Sequence, residues 1–207
     1  MAPTLLAGTN RSNPLDYAFV PNYSRMPARW ESINDDRILI FTDGAAPNNG
    51  RPGVRAGCGV VTGPSLDSRH LFRLEPDVSH QLTSNRAELR AVEAAIEFDW
   101  KMEGIKTIVI ATDSEYVAEG ATLWIRVWRD WSGRWVVQKA NMDLWDRLMK
   151  AIEDKEREGI RVEFYLIDRV WNLADRYAKA AAKRLHFTSA GLLEESPAIS
   201  ASEIYPK

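Results

Sequence analysis

The sequence predicts an α/β domain of three layers built on a mixed β-sheet. Three short apolar segments come first along the chain, and a helix, a strand, a helix, a strand and a helix follow them. Early strands followed by alternating helices and strands are typical of a mixed sheet covered by helices. With 207 residues, of which 45% are hydrophobic and 27% charged, the chain is long enough for one soluble domain with a sizeable core.

The three early strands begin at residue 37. Residues 37–42 form a short apolar run with strand composition. Residues 56–62 and 70–74 follow as the second and third strands of a meander. An Asn-Asn-Gly and a Pro-Gly segment within residues 48–53 mark the turns between the first two strands.

The second half alternates helices with strands. Residues 85 to about 100 have helical spacing, with Leu89, Val92 and Ile96 on one face and Ser84 as the expected N-cap. The segments that follow are a strand at 107–111, helix-prone stretches at 114–119 and 122–130, a long helix at 142–158, a last strand at 161–167 and an alanine-rich helix at 173–185.

These elements predict one folded domain at residues 37–185 between two flanking segments. Residues 1–36 contain four prolines and no sustained periodicity, so we expect a mostly irregular N-terminal arm. Residues 186–207 turn to Ser, Ala, Glu and Pro, which predicts a weakly ordered C-terminal tail.

The composition argues against several classes of protein. No apolar run approaches the length of a membrane span, and the N-terminus is a poor secretory signal. The single cysteine, Cys58, excludes an internal disulfide and fits a reducing compartment. We therefore expect an intracellular protein that binds no membrane, without a prediction of its compartment. The net charge of −2 gives no global basic field, although a local basic groove is compatible with it.

Four acidic residues stand in distinctive settings: Asp43 in ILIFTDGA, Glu88 in TSNRAELRA, Asp113 in IVIATDSEYV and Asp175 in NLADRYAKAAA. Two end strand-like runs and two lie on helix-like stretches, so they can converge at one end of a sheet. Each also has a structural alternative as a turn residue, a helix cap or an acid near a helix N-terminus. Together they favour a Mg²⁺ or Mn²⁺ site of the kind that two-metal phosphodiester chemistry requires.

These motifs resemble the type-1 ribonuclease H family, which cleaves the RNA strand of RNA–DNA hybrids. FTDGA, NRAEL, TDS-x-YV and AD-x-x-A-x-x-A match in order and approximate spacing across about residues 37–185. The segments GATLWIRVW and NMDLWDRL between them add to the similarity. The resemblance implies a ribonuclease H-like three-layer fold with a five-stranded mixed sheet in the order 3-2-1-4-5 and helices on both faces.

The resemblance also implies a function. It predicts a monomeric, divalent-metal-dependent endonuclease that hydrolyses the RNA strand of RNA–DNA hybrids and leaves 5′-phosphate and 3′-hydroxyl ends. Two Mg²⁺ ions are implied, with Mn²⁺ as a substitute. Asp43 would bridge both ions, while Asp113 would bind one and Asp175 the other. Glu88 would bind a metal and help to read a ribose 2′-hydroxyl, the group that distinguishes RNA from DNA.

Five further residues are implied in substrate binding. Thr83 and Asn141 would bind a phosphate of the DNA strand, and Asn85 would approach the minor groove. Trp124 and Trp128 would flank the channel for the DNA strand. Core packing is the alternative for these two tryptophans, because they are four residues apart and share a helix face.

The sequence departs from the family pattern in two places. Family members commonly carry a mobile loop with a histidine before the last helix, whereas here seven residues without a histidine separate Ile167 from Asp175. This predicts slower turnover, with Arg169 as a candidate substitute. Glu115 stands where an uncharged residue is familiar. Two alternatives stay open: a non-catalytic or weakly active nucleic-acid-binding module, and a related nuclease acting on another duplex.

Overall fold

The computed structural model describes residues 3–6, 11–16, 18–33, 36–47, 49, 51, 53–77, 79–98, 104–130, 132–183, 185–187 and 193–195. Its strands are β1 (Thr4–Leu5), β2 (Phe19–Asn22), β3 (Arg29–Ser32), β4 (Arg37–Ala45), β5 (Gly57–Val61), β6 (Arg69–Arg73), β7 (Thr107–Thr112), β8 (Arg161–Leu166), β9 (Leu185–Phe187) and β10 (Leu193–Glu195). Its α-helices are α1 (Ser84–Glu97), α2 (Glu115–Glu119), α3 (Ile125–Trp128), α4 (Met142–Arg157) and α5 (Asp175–Lys183).

The centre of the sheet has the predicted strand order. β4 pairs in parallel with β7, and β7 pairs in parallel with β8. On its other edge β4 pairs antiparallel with β5, which pairs antiparallel with β6. Numbered by their place in the predicted domain, these five strands lie in the order 3-2-1-4-5, so this prediction is confirmed.

Three strands of the N-terminal arm extend this sheet to eight strands within the described residues. β1 adds in parallel to β8, and the hairpin of β2 and β3 pairs with β4. β3 occupies the edge of β4 at Ile38 and Leu39, while β5 occupies the same edge from Phe41 to Ala45. The sequence did not predict these strands, because each is two to four residues long and has no sustained alternation.

Alternate side chains of the central strands fill the two faces of the sheet. Ile38 and Ile40 pack with residues of α1 and α4 in one buried cluster. Leu39 and Phe41 point to the opposite face, where Tyr177 of α5 closes a second cluster that includes arm residues. Because successive strand residues face opposite sides, a strand buried on both faces reads as a continuous apolar run. The three-layer prediction, with helices on both faces, is therefore confirmed.

The flanking segments differ in how far the structure describes them. Described arm residues build three strands and a short 3₁₀ turn at Pro14–Asp16, joined by irregular stretches. Most of the predicted tail, residues 186–207, lies outside the described residues, although β9 and β10 form an antiparallel pair. Within the described part of the chain, no helix has the length and apolar character needed to cross a membrane.

Candidate active site

The four predicted acids come together at the carboxyl ends of β4 and β7. Asp43 lies in β4, two residues before its end, and is only 3% exposed. Asp113 directly follows β7, which runs parallel to β4. Glu88 lies on α1, and Asp175 is the first residue of α5. Parallel strands end on the same edge of a sheet, which explains the convergence. β4 continues through Asp43 to Ala45, so Asp43 belongs to the strand and the turn alternative for it is wrong.

A close backbone contact places Glu88 beside Asp43. A Cβ atom at Gly44 would lie 2.1 Å from the backbone nitrogen of Glu88, a distance that no side chain could occupy. Only glycine therefore allows α1 to pack this closely on β4. The sequence signal for this contact is the Asp-Gly pair itself, which otherwise indicates a turn.

Burial and mutual repulsion make Asp43 difficult to ionise. Burial, and after it the charges of Asp113, Asp175 and Glu88, together raise the pKa of Asp43 to about 8. Burial also raises the pKa of Glu88, against a hydrogen bond of 2.6 Å that the Ser114 hydroxyl donates to Glu88 Oε2. Such repulsion is the expected result when carboxylates are gathered without a cation among them.

Arg169 supplies positive charge inside this group. Its Nε donates a hydrogen bond of 2.8 Å to Asp113 Oδ2 and lies 3.9 Å from Asp175 Oδ1. The hydrogen bond to Asp113 raises the pKa of Arg169, with smaller effects from Asp43 and Asp175. The Arg169 side chain is 65% exposed, so water screens these ion pairs and the guanidinium can leave them at modest cost.

Two neighbours that the sequence did not single out hold the acids in place. Asn172 donates from Nδ2 to Asp113 Oδ1 at 2.6 Å and to the carbonyl oxygen of Thr42 at 3.0 Å. Lys179 donates to Asp175 Oδ2 at 2.6 Å from one turn along α5. Asn172 could have been found from its place three residues before Asp175 in the NLAD motif, and Lys179 from its i+4 spacing.

The donor set fits a hard divalent cation. Asp175 Oδ1 is buried and accepts no hydrogen bond, so one carboxylate oxygen is left with an unused lone pair inside the site. All four side chains offer oxygen, which suits Mg²⁺ and Mn²⁺. Among the described residues, however, no three of these acids have ligand atoms within 4.8 Å of one another. The arrangement is therefore more open than a closed coordination shell, with Arg169 as the neighbouring cation.

An open pocket beside Asp43 combines acidic and basic side chains. It runs along the start of α1 and the exposed face of α5, and its lining includes Asp43, Asp175, Arg169, Lys179 and Lys183. Arg169 and Lys179 offset the charge of the neighbouring carboxylates, and Lys183 adds a further positive charge to this face of the site. A polyanion can approach the acids over such a rim.

Thr83 and Ser114, and not the residues expected from the sequence, cap the two helices at the site. Thr83 Oγ1 accepts from the backbone nitrogen of Arg86 and caps α1, so the prediction of Ser84 as cap is wrong. Ser114 caps α2 in the same way, which leaves the Asp113 carboxylate free of a capping role. The prediction missed Ser114 because Asp113 and Ser114 are equally good N-cap residues by type.

The residues implied in phosphate binding lie around the buried Arg86. Arg86 donates to Asp143 at 2.9 and 2.6 Å and to Asn141 Oδ1 at 3.4 Å. These bonds join the start of α1, where Thr83 lies, to the start of α4. Asn141 has a left-handed backbone with φ of 62°, a conformation that asparagine tolerates better than most residues. Asn85 is exposed on the first turn of α1.

The tryptophan segment is largely part of the core. Trp128 is 9% exposed and packs against Trp124, Trp135 and Trp145 at ring-centroid distances of 5.6, 6.4 and 5.5 Å. Trp128 therefore takes part in core packing, and its place beside the channel for the DNA strand stays a prediction. Trp124 is half-buried on the same cluster and keeps an accessible part.

His80 lies in a charged group that its sequence position did not indicate. Asp77, His80 and Asp143 each bring a ligand atom within 4.8 Å of the others. Arg86 lies 3.6 Å from Asp77 and 2.6 Å from Asp143, so a guanidinium already balances these carboxylates. His80 Nδ1 lies 2.7 Å from Asp77 Oδ2. The group is an ion-pair network that joins the loop before α1 to α4.

Comparison with known families identifies the domain. The family model described as RNase H matches residues 35–183. The chain belongs to the ribonuclease H family.

Curated relatives extend this similarity over most of the ribonuclease H domain. A protein named Ribonuclease H from Proteus mirabilis is 34% identical over 160 residues, covering 76% of this chain and 94% of the relative. Human Ribonuclease H1 is 32% identical over 127 residues, or 59% of this chain and 43% of that protein. The chain therefore spans nearly all of the bacterial relative and less than half of the human one.

Two solved viral structures share the fold of this chain over part of their length. The protease–reverse transcriptase of prototype foamy virus superposes with a TM-score of 0.54 over 70% of this chain and 21% of that chain, at 23% identity. A foamy viral protease–reverse transcriptase solved in complex with an RNA/DNA hybrid gives a TM-score of 0.52 at 19% identity, over 70% of this chain and 20% of that one. At these identities the comparison shows the fold alone.

Proposed function

We propose that this ribonuclease H family protein hydrolyses the RNA strand of RNA–DNA hybrids in a divalent-metal-dependent reaction that leaves 5′-phosphate and 3′-hydroxyl ends. The observation that carries the proposal is the meeting of four carboxylates at one sheet edge around a buried Asp43 whose pKa is raised to about 8. The names of the relatives from Proteus mirabilis and human support the activity, and the match of Thr83, Asn85 and Asn141 to the family pattern supports the substrate.

The acids would hold the metal ions that this chemistry uses. Asp43 would contact both ions of a pair, Asp113 would bind one and Asp175 the other, and Glu88 would also bind a metal. Bound Mg²⁺, or Mn²⁺ in its place, activates the attacking water and stabilises the leaving oxygen. The protein's own contribution is to orient the carboxylates through Gly44 and through hydrogen bonds to three of the acids, and to provide a charged frame for the scissile phosphate.

Arg169 would offset the mutual repulsion of the acids until a metal ion binds. Its guanidinium pairs with Asp113 and lies near Asp175, in the short segment where related proteins carry a histidine-bearing loop. Because the Arg169 side chain is largely exposed, it can turn toward the pocket rim when a cation takes over the charge of Asp113. Arg169 would then join Lys179 and Lys183 as a cation beside the cleaved RNA strand.

The two strands of the hybrid would be recognised at different places. Thr83 and Asn141 would bind a DNA-strand phosphate, on elements that Arg86 joins. Asn85, exposed one helical turn before Glu88, would reach the minor groove, where Glu88 would read a ribose 2′-hydroxyl. Trp124 would contribute its accessible part to the DNA-strand channel. The protein would act as a monomer on backbone shape and not on base sequence.

A cleavage assay with matched substrates tests the proposal. Labelled RNA–DNA hybrid, RNA duplex, DNA duplex and single strands would each be incubated with the full chain and Mg²⁺ or Mn²⁺, and the product ends mapped. We expect internal cuts in the RNA of the hybrid alone, none with chelator, and none with Asp43→Asn. Binding of hybrid without cleavage would contradict catalysis, and cleavage of another duplex would contradict the substrate.

A further inference from the structure

The N-terminal arm reaches the edge of the carboxylate site through Arg11. The Arg11 guanidinium forms an ion pair with Glu115, the first residue of α2 and the second residue after Asp113. The carbonyl oxygen of Arg11 accepts a hydrogen bond of 3.0 Å from the backbone nitrogen of Asp168, next to Arg169. One arm residue thus contacts both segments that carry the charges of the site.

Further contacts hold this part of the arm in place. The Ser12 hydroxyl lies 3.2 Å from the Tyr165 hydroxyl on β8. Leu15 packs on the buried cluster that contains Tyr177. Arg11 has a positive φ of 51°, a conformation that is unusual for a residue with a side chain. Such a conformation persists only where the surrounding contacts stabilise it. The position of Arg11 is therefore supported by its own backbone contact with Asp168 and by the contacts of Ser12 and Leu15 after it.

Glu115 would otherwise be a fifth carboxylate in the path of a polyanion. It is 55% exposed on its side chain, and it lies at the start of the helix that follows Asp113. An unpaired negative charge there repels a phosphate backbone at the distances involved in docking. Arg11, which lies outside residues 35–183 of the family match, neutralises this charge.

We propose that Arg11 is a positioning residue for nucleic-acid affinity: by pairing with Glu115 it removes a repulsive charge beside the carboxylate site. The inference rests on the proposed function, since it assumes that a nucleic-acid backbone approaches across α2. It assigns a role at the site to the arm, which lies outside the residues that the family model matches. In the family pattern an uncharged residue is familiar at the position of Glu115. In this chain, pairing with Arg11 neutralises the charge of Glu115 instead.

A double-mutant cycle separates action through Glu115 from other roles of Arg11. We expect Arg11→Ala to raise KM for hybrid about fivefold with kcat nearly unchanged, as for a charge at the rim of an interface. Glu115→Gln should restore KM in the Arg11→Ala background, because no repulsive charge then remains. Arg11→Lys should retain most of the affinity. The KM defect should shrink at high salt, where exposed charges are screened.

Arg25→Ala is the matched control, because Arg25 is an arm arginine that pairs with Glu31 at 3.0 Å on the hairpin beside the start of β4. We expect it to leave KM unchanged. An equal KM defect in the presence and absence of Glu115 would overturn the proposal, since Arg11 would then act by direct contact or through arm stability. Equal behaviour of the Arg11 and Arg25 variants would also overturn it. A wild-type chain that binds hybrid but does not cut it would contradict the proposed function, and the same cycle read by hybrid Kd would still test Arg11.

Discussion

Arg169 and Asp113 link the loop before α5 to the end of β7, with Nε and Oδ2 2.8 Å apart. The pair places the exposed Arg169 guanidinium at the end of the sheet where the four acids lie. A guanidinium bound to a carboxylate competes with any metal ion for the same oxygen. The balance between these two cations is therefore set in the short segment between β8 and α5, which carries Arg169.

Loss of any one acid should abolish cleavage without loss of the fold. Asp43→Asn, Glu88→Gln and Asp113→Asn each remove one charged ligand with little change of shape, and we expect activity to fall by about a thousandfold or more, as when a group that stabilises the transition state is lost. The measurement is hybrid cleavage in Mg²⁺, with circular dichroism as the control for folding. Near-normal activity in any two of these variants would contradict the two-metal reading.

The stability of the metal-free protein should depend on the ionisation of Asp43. The pKa of folded Asp43 is raised to about 8 by burial and by its acidic neighbours. An unfolded aspartate titrates at about 4. Between these values the folded state binds more protons than the unfolded state, so Asp43 lowers stability progressively as pH rises from about 4 through about 8.

Asp43→Asn removes this effect. We expect the variant to melt above the wild type at about pH 9 in chelator, with the difference shrinking as pH falls to about 4 and vanishing below it, where the aspartate is protonated in both states. Adding Mg²⁺ should raise the Tm of the wild type more than that of the variant, because the ion binds the folded site. A difference in Tm that is constant from low to high pH would contradict this account.

Removal of the Arg169 guanidinium should strengthen metal binding. Arg169→Ala leaves the Asp113 carboxylate unpaired on that side, and we expect the Mg²⁺ concentration for half-maximal cleavage to fall about fivefold, as for loss of an exposed ion pair. Ca²⁺ titration by calorimetry measures the same change without turnover. Arg161→Ala, an exposed arginine at the opposite end of β8, is the control. An unchanged or higher metal requirement would show that Arg169 does not compete with the ion.

Thr83 and Asn141 should control the salt dependence of hybrid binding. We expect Asn141→Ala combined with Thr83→Ala to weaken hybrid binding and to flatten the slope of affinity against salt, because one phosphate contact is lost. Thr83 also caps α1, and loss of an N-cap costs about 1 kcal/mol of stability. Thr83→Ser is therefore the control, since it keeps both the cap and the hydroxyl. An unchanged salt slope in the double variant would remove these residues from the phosphate site.

The sequence was most informative where a local signal and a topological rule agree. The continuous apolar runs before Asp43 and Asp113 predicted buried parallel strands, and such strands end at a common edge. That reasoning placed the acids correctly. It left Trp128 open, because a helix-face pattern does not distinguish a core aromatic from one that lines a groove. The contact with Trp145 shows that Trp128 packs in the core, while its role beside the DNA strand stays a prediction.

The rest depends on contacts that are distant in the sequence. Asn172 bonds to Asp113 across 59 residues, and Arg11 pairs with Glu115 across 104. The strands of the arm form because β4 and β8 offer them partners, and not because their own composition demands it. Propensity acts over neighbouring residues, so it contains no information about such partners.

The end-to-end arrangement of β3 and β5 along β4 has a practical consequence for anyone who shortens this chain. A version that begins at the family match would lose β3, and the backbone groups that it pairs near Ile38 and Leu39 would face water. Trp30, which stacks edge-on against Phe41 at 5.3 Å, would go with it and uncover an aromatic surface. An open strand edge beside exposed aromatic rings favours intermolecular β-pairing. The arm thus acts as a guard against self-association, and the trimmed protein should precipitate at concentrations at which the full chain stays in solution.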